Sequence, residues 1–184
     1  ALSGTLAAPS PLFLTPEFVF ELNLDFAGDG TAVLTFIEGG SMSQLRGFYF
    51  DGFGWDAGTI LSSGDFPSQS SMAVDDAGNV MVVWSESDGT RGRIRSRIFE
   101  RGMAAWTPVL PVEGSAPPLD NQDPRVVRDG PGEFTAVWAH DDGGGNANIM
   151  QNHYGVAGWD SEGVLVDVLD PVIHPRITTW GMGQ

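Results

Sequence analysis

The sequence predicts an all-β fold of β-propeller type, assembled from blades of four antiparallel strands. Three observations carry that prediction. One pattern occurs three times in register: a strand-like run, a turn ending in glycine, an apolar run ending in an aromatic residue, another strand, and a tryptophan. The turn glycines Gly30, Gly78 and Gly132 lie 48 and 54 residues apart, and a repeat of about 50 residues marks a stacked-unit architecture. Composition agrees, because 25 glycines and 12 prolines in 184 residues make a turn-rich chain, while 41% hydrophobic residues can fill a core.

The units follow in order. Residues 1–15 read as a part-blade, since Thr5-Leu-Ala-Ala-Pro9 resembles the later fourth-strand run Pro108-Val-Leu-Pro111. Residues 16–66 form the first whole blade, with Leu24 to Gly30, Thr31 to Phe36, Leu45 to Phe50 and Gly54-Trp55 as its landmarks. Residues 67–119 form the second. There Asp75-Asp-Ala-Gly78 is a turn in which Asp bonds its own backbone and Gly supplies positive φ. Asn79 to Trp84 is almost continuously apolar, as in a strand buried on both faces, and Arg93 to Phe99 alternates with period two. Trp106 to Leu110 is a short last strand in which Pro108 suits an edge. Residues 120–170 repeat the plan through Val126, Gly132, Trp138, Ile149 to Tyr154 and Trp159. Residues 171–184 start another blade, since His174-Pro-Arg matches Asp123-Pro-Arg. Three blades cannot close a ring, so the expectation is a piece of a longer propeller or self-association that closes one.

The net charge is −15, and every one of the nine basic residues is arginine. Such a chain repels phosphate backbones, which argues against nucleic acid as a partner. With no cysteine, disulfides, thiolate metal sites and cysteine nucleophiles are excluded. No apolar run reaches the length of a membrane span.

The units resemble the repeat of many bacterial exported β-propeller proteins, related in style to sialidase-like and tectonin-like lectin propellers. The resemblance rests on Asp75-Asp-Ala-Gly-Asn-Val-Met-Val-Val-Trp84 with Gly158-Trp159 and spans residues 18–180. It implies a propeller, a periplasmic, cell-surface or secreted location, and binding of a glycan or a protein partner. The sialidase Asp-box, Ser-x-Asp-x-Gly-x-x-Trp, is not matched; Asp51-Gly-Phe-Gly-Trp55 keeps only its tail.

Four sets of residues are candidates for chemistry. Arg125 and Arg176 hold matching first-strand positions, so strands lining the axis would bring the two guanidiniums together to clamp a carboxylate; ion pairing with nearby acids is the plainer reading. His140, Asp141 and Asp142 form the densest polar cluster, and a solvated turn would look the same. Asp123 and His174 would add oxygen and imidazole ligands to it, and a divalent cation such as calcium is the inorganic group such a mixture would suit. No organic cofactor fingerprint is present. Arg91, Arg93, Arg95 and Arg97 put a positive stripe on one strand face, fit either to discourage strand addition or to meet an acidic partner. The repeated tryptophans serve either packing between blades or sugar stacking.

No nucleophile elbow or phosphate loop occurs. The function expected is a non-catalytic binding or assembly module. A sialidase-like glycan-active enzyme and a structural subunit of a larger complex are the alternatives.

Overall fold

The computed structural model describes residues 11–62, 66–87, 89–114, 120–141, 143–144, 146–167 and 174–178. Asp142, residues 1–10 of the first part-blade, and most of 171–184 lie outside them. Among the described residues there is no helix, and the strands form three antiparallel sheets.

The first sheet orders β1 (Val19–Phe26), β2 (Ala32–Glu38), β3 (Gln44–Phe50) and β4 (Thr59–Ile60). The second runs β5 (Pro67–Val74), β6 (Val80–Ser87), β7 (Gly92–Glu100) and β8 (Ala105–Trp106), with β9 (Leu110–Pro111) also on β7. The third runs β10 (Asn121–Gly130), β11 (Glu133–Asp141), β12 (Ala147–Gly155) and β13 (Gly158–Trp159), with β14 (Gly163–Asp167) also on β12. The single fourth strand expected per unit is therefore divided in the second and third sheets. In the second sheet Pro108 removes a backbone donor between the two pieces. Thr107 N still donates to Ile98 O at 2.9 Å and Val112 N to Ile94 O at 3.1 Å, so both pieces stay on β7.

Two apolar layers join the sheets. Val33, Ile37, Leu45, Tyr49 and Leu61 of the first unit meet Val74, Val80, Val82, Trp84 and Phe99 of the second. Met81, Val83, Ile94 and Ile98 face the opposite way, onto Val126, Phe134, Ala136 and Trp138. Strand β6 lies between both layers, which is why its apolar run is continuous. At the outer side of the first sheet, Phe13 packs on Phe36 and Phe48 with ring centroids 5.8 and 5.7 Å away. Thr15 and then Arg46 hold the Glu38 carboxyl below its ordinary range, against the opposing effect of burial.

One feature of the first strand, β1, β5 or β10, recurs in every sheet. Pairing shifts register between Phe20 and Asn23, between Ser68 and Ser71, and between Gln122 and Arg125. At each bulge a non-glycine residue adopts left-handed backbone: Glu21 at φ +52°, Gln69 at +53° and Asp123 at +53°. Such a conformation costs about 1–3 kcal/mol and persists only where its surroundings repay it. Here the bulged side chain reaches the next unit. Ser70 N donates to Glu21 Oε2 at 2.9 Å, Asp123 N to Gln69 Oε1 at 2.9 Å, and His174 Nδ1 lies 2.6 Å from Asp123 Oδ2.

Candidate functional site

The bulges place the polar ends of β1, β5 and β10 side by side. Between them lies a pocket of about 450 Å³, lined by Glu21, Asn23, Gln69, Asp123, Arg125 and Arg176 among others. Arg125 and Arg176 both line this pocket. Arg125 Nη2 sits 2.5 Å from Asp123 Oδ1, and its Nη1 donates to Pro124 O at 2.7 Å. Asp123 is buried and divides its two oxygens between Arg125 and His174. Arg176 is exposed and lines the same space. A second pocket of about 300 Å³ borders the other ends of these strands, lined by residues including Asp25, Phe26, Val74, Val126 and Arg128. Each pocket mixes charges of both signs: Glu21 and Asp123 with Arg125 and Arg176 in the first, Asp25 with Arg128 in the second.

The His140 cluster resolves differently. His140 and Asp141 belong to strand β11 and not to the turn expected of them. His140 Nδ1 lies 2.7 Å from Asn121 Oδ1, which also accepts from Trp138 Nε1 at 3.0 Å. Asp141 Oδ1 accepts from Gly143 N at 2.8 Å. These bonds hold a buried indole and a turn in place. Among the described residues no group of three or more His, Asp or Glu side chains is placed to hold a metal ion; Asp123 and His174 meet each other as a pair.

The arginine stripe is not a solvent face. All four side chains are half-buried; Arg93, Arg95 and Arg97 are so because β7 is an interior strand and this face turns toward the first sheet, while Arg91 lies just before it. Arg97 Nη1 donates to Ile60 O of the first sheet at 3.1 Å, and burial lowers its pKa. Arg93 and Arg95 approach Glu113 Oε1 at 3.6 and 3.5 Å, and Ile94 N donates to Glu113 Oε2. Burial nevertheless dominates, raising the Glu113 pKa above its ordinary value despite the Ile94 bond and both arginines. A raised carboxyl pKa means folding favours the protonated form, so this contribution is present below the ordinary value near 4.5 and is lost as pH rises through the folded value. Glu113→Gln should therefore flatten that part of the stability–pH curve, measured by urea unfolding from pH 4 upward; an unchanged slope counts against the assignment.

Four of the repeated tryptophans are packing residues. Trp84 and Trp138 are fully buried, while Trp106 and Trp159 pack on the two core layers. Trp55 stays 36% exposed.

The bulge series escaped the sequence reading although its signal was present. Glu21, Gln69 and Asp123 keep the same 48- and 54-residue intervals as the turn glycines. Their common property is an acceptor side chain, which a search for apolar and glycine landmarks passes over.

No protein-family model and no curated protein matches the chain. Among solved structures it is similar to a Hadza microbial sialidase, with TM-score 0.57 and 11% identity over 77% of this chain and 36% of that one. It also matches a glycosyl hydrolase from Bacteroides ovatus at TM-score 0.48 and 14% identity, over 81% of this chain and 51% of that one. The chain thus spans about a third of the sialidase and half of the hydrolase. At such identity the sialidase likeness is one of fold: an all-β arrangement of successive antiparallel sheets.

Proposed function

We propose that the three sheets are consecutive blades of a β-propeller-type binding module, acting outside the cytoplasm, whose first-strand pocket takes a carboxylate-bearing glycan. The observation that carries this reading is the meeting of Arg125 and Arg176 in one pocket with a ring of amide, hydroxyl and carboxylate groups. Arg125 is already tied to Asp123, so Arg176 is the guanidinium left to grip a ligand carboxylate. Asn23, Gln69 and Ser71 supply donors and acceptors suited to sugar hydroxyls. The fold likeness to a sialidase supports a glycan as ligand. The missing Asp-box, and the engagement of Asp123 with Arg125 and His174, support binding without turnover.

Titration calorimetry with a sialylated trisaccharide tests this. Binding should weaken roughly 10- to 100-fold in Arg176→Ala, the loss of one charge-assisted contact, with the glycoside recovered intact. Equal affinity in the variant, or no binding by the natural protein, refutes the pocket assignment. A second reading, a glycan-active enzyme, takes its support from the same sialidase-like fold and requires release of the terminal sugar.

A further inference from the structure

Both joints inside the chain obey one rule. At the first, Trp106 lands on Gly47 in the middle of β3: a Cβ at that glycine would stand 3.2 Å from Trp106 Cζ2 and 2.8 Å from Leu61 Cδ1. At the second, Trp159 lands on Ser96 in the middle of β7, its Nε1 donating to Ser96 Oγ at 2.8 Å. Gly47 opposes Thr35 and Ser96 opposes Val83, which are equivalent register positions. The residues two places to either side are Leu45 and Tyr49 in one strand and Ile94 and Ile98 in the other, all buried in the joint. The receiving strand therefore reads apolar–x–small–x–apolar.

The arriving face repeats at its far end, an aromatic residue followed by Trp, while the first position of the row varies and is an exposed arginine, Arg128, in the third sheet. In the second sheet the row Val74–Val80–Phe99–Trp106 crosses the strands, and in the third the row Arg128–Phe134–Tyr154–Trp159 does so. The first sheet carries the same row as Phe26–Ala32–Phe50–Trp55, beside Leu24–Leu34–Phe48. Yet Phe26 is 63% exposed and Leu24 49%, where Val74 and Phe99 of the second sheet are each 4%. Phe13 packs on Phe36 and Phe48; within the row Ala32 is buried and Phe50 half-buried, while Phe26 and Trp55 at its two ends stay 63% and 36% exposed.

We propose that this face is the docking surface for one further four-stranded antiparallel sheet, whose third strand reads apolar–x–Gly or Ser–x–apolar and receives Trp55. The inference rests on the stacked-blade reading above and continues an interface the chain already makes twice. A second copy of the chain does not meet the requirement. Its β3 and β7 are already filled, and β12 offers Ile149-Met-Gln151-Asn-His153, with a long amide at the small position and imidazole where Tyr49 and Ile98 stand.

The test places the photo-crosslinker p-benzoylphenylalanine at position 26, and for comparison at Val156 on an exposed hairpin tip, in the full chain within the cells that make it. The expected product maps from position 26 to a strand of the stated pattern in another sheet, is lost when Trp55→Asp is added, and does not form from position 156. Crosslinking to a second copy, to lipid, or to a strand with a large residue at the central position overturns the proposal, as does the absence of any product from position 26. Circular dichroism of each variant guards against misfolding. Glycan titration with Arg176→Ala is read separately: crosslinking without glycan binding sinks only the pocket, and glycan binding without crosslinking sinks only the docking surface.

Discussion

Trp84→Ala will lower the unfolding free energy by roughly 3–5 kcal/mol, the cost of deleting a buried indole and leaving its cavity. Trp84 has no exposed surface and stands in the layer that joins the first two sheets. Its Nε1 donates to Glu86 Oε2 at 2.9 Å, so truncation also removes a partner from a buried carboxylate. For a chain of this length the change corresponds to a fall in Tm of about 10 °C. Trp55→Ala is the informative contrast. Its ring packs on Phe50 with centroids 5.3 Å apart but remains partly in water, and its removal should cost well under half as much. Equal losses in thermal denaturation would show that Trp55 is as fully packed as Trp84.

The second large effect lies in a turn. Asp75 is completely buried and its carboxylate accepts four hydrogen bonds. Oδ1 takes Ala77 N at 2.9 Å and Asn79 N at 2.8 Å; Oδ2 takes Asn79 Nδ2 at 2.8 Å and Gly132 N at 2.6 Å. The last bond crosses from the second unit to the turn of the third. Asp75→Ala orphans these donors together, at about 1–3 kcal/mol for each one left buried without a partner, and we expect a net loss of about 3 kcal/mol once exposed donors find water. Neighbouring Asp76 is exposed and pairs with Arg128 at the surface, so Asp76→Ala should cost less than about 1 kcal/mol. Urea unfolding of both variants decides the matter, and similar losses would refute this account of the turn.

The two aspartates also show how far residue order alone can be read. Asp75-Asp-Ala-Gly78 was recognisable as a turn because local side-chain bonding and positive φ at Gly78 depend on adjacent residues. Nothing in the sequence separates Asp75 from Asp76, because Gly132 lies 57 residues away along the chain and meets Asp75 only after the sheets pack. The arginine stripe of β7 illustrates the same limit. Alternation correctly put Arg93, Arg95 and Arg97 on one face, but which face meets another sheet depends on stacking order. That face turned out to be a joint, where Glu113 and Ile60 O answer the charges.

At the candidate site, Arg125 and Arg176 line one pocket because repeat register maps equivalent positions to equivalent places. The left-handed bulges at Glu21, Gln69 and Asp123 leave only a shared repeat interval in the sequence, and their conformation is not written there, since a bulge is selected by what its side chain reaches in the next unit. Turn positions and the repeat are written in short-range alternation and in glycine spacing, whereas the division of the last strand is not. Burial and cross-sheet bonding come from contacts between residues about 50 apart, and those exist only once sheet has packed on sheet; the exposure of Phe26 and Trp55 is likewise set by which sheets meet.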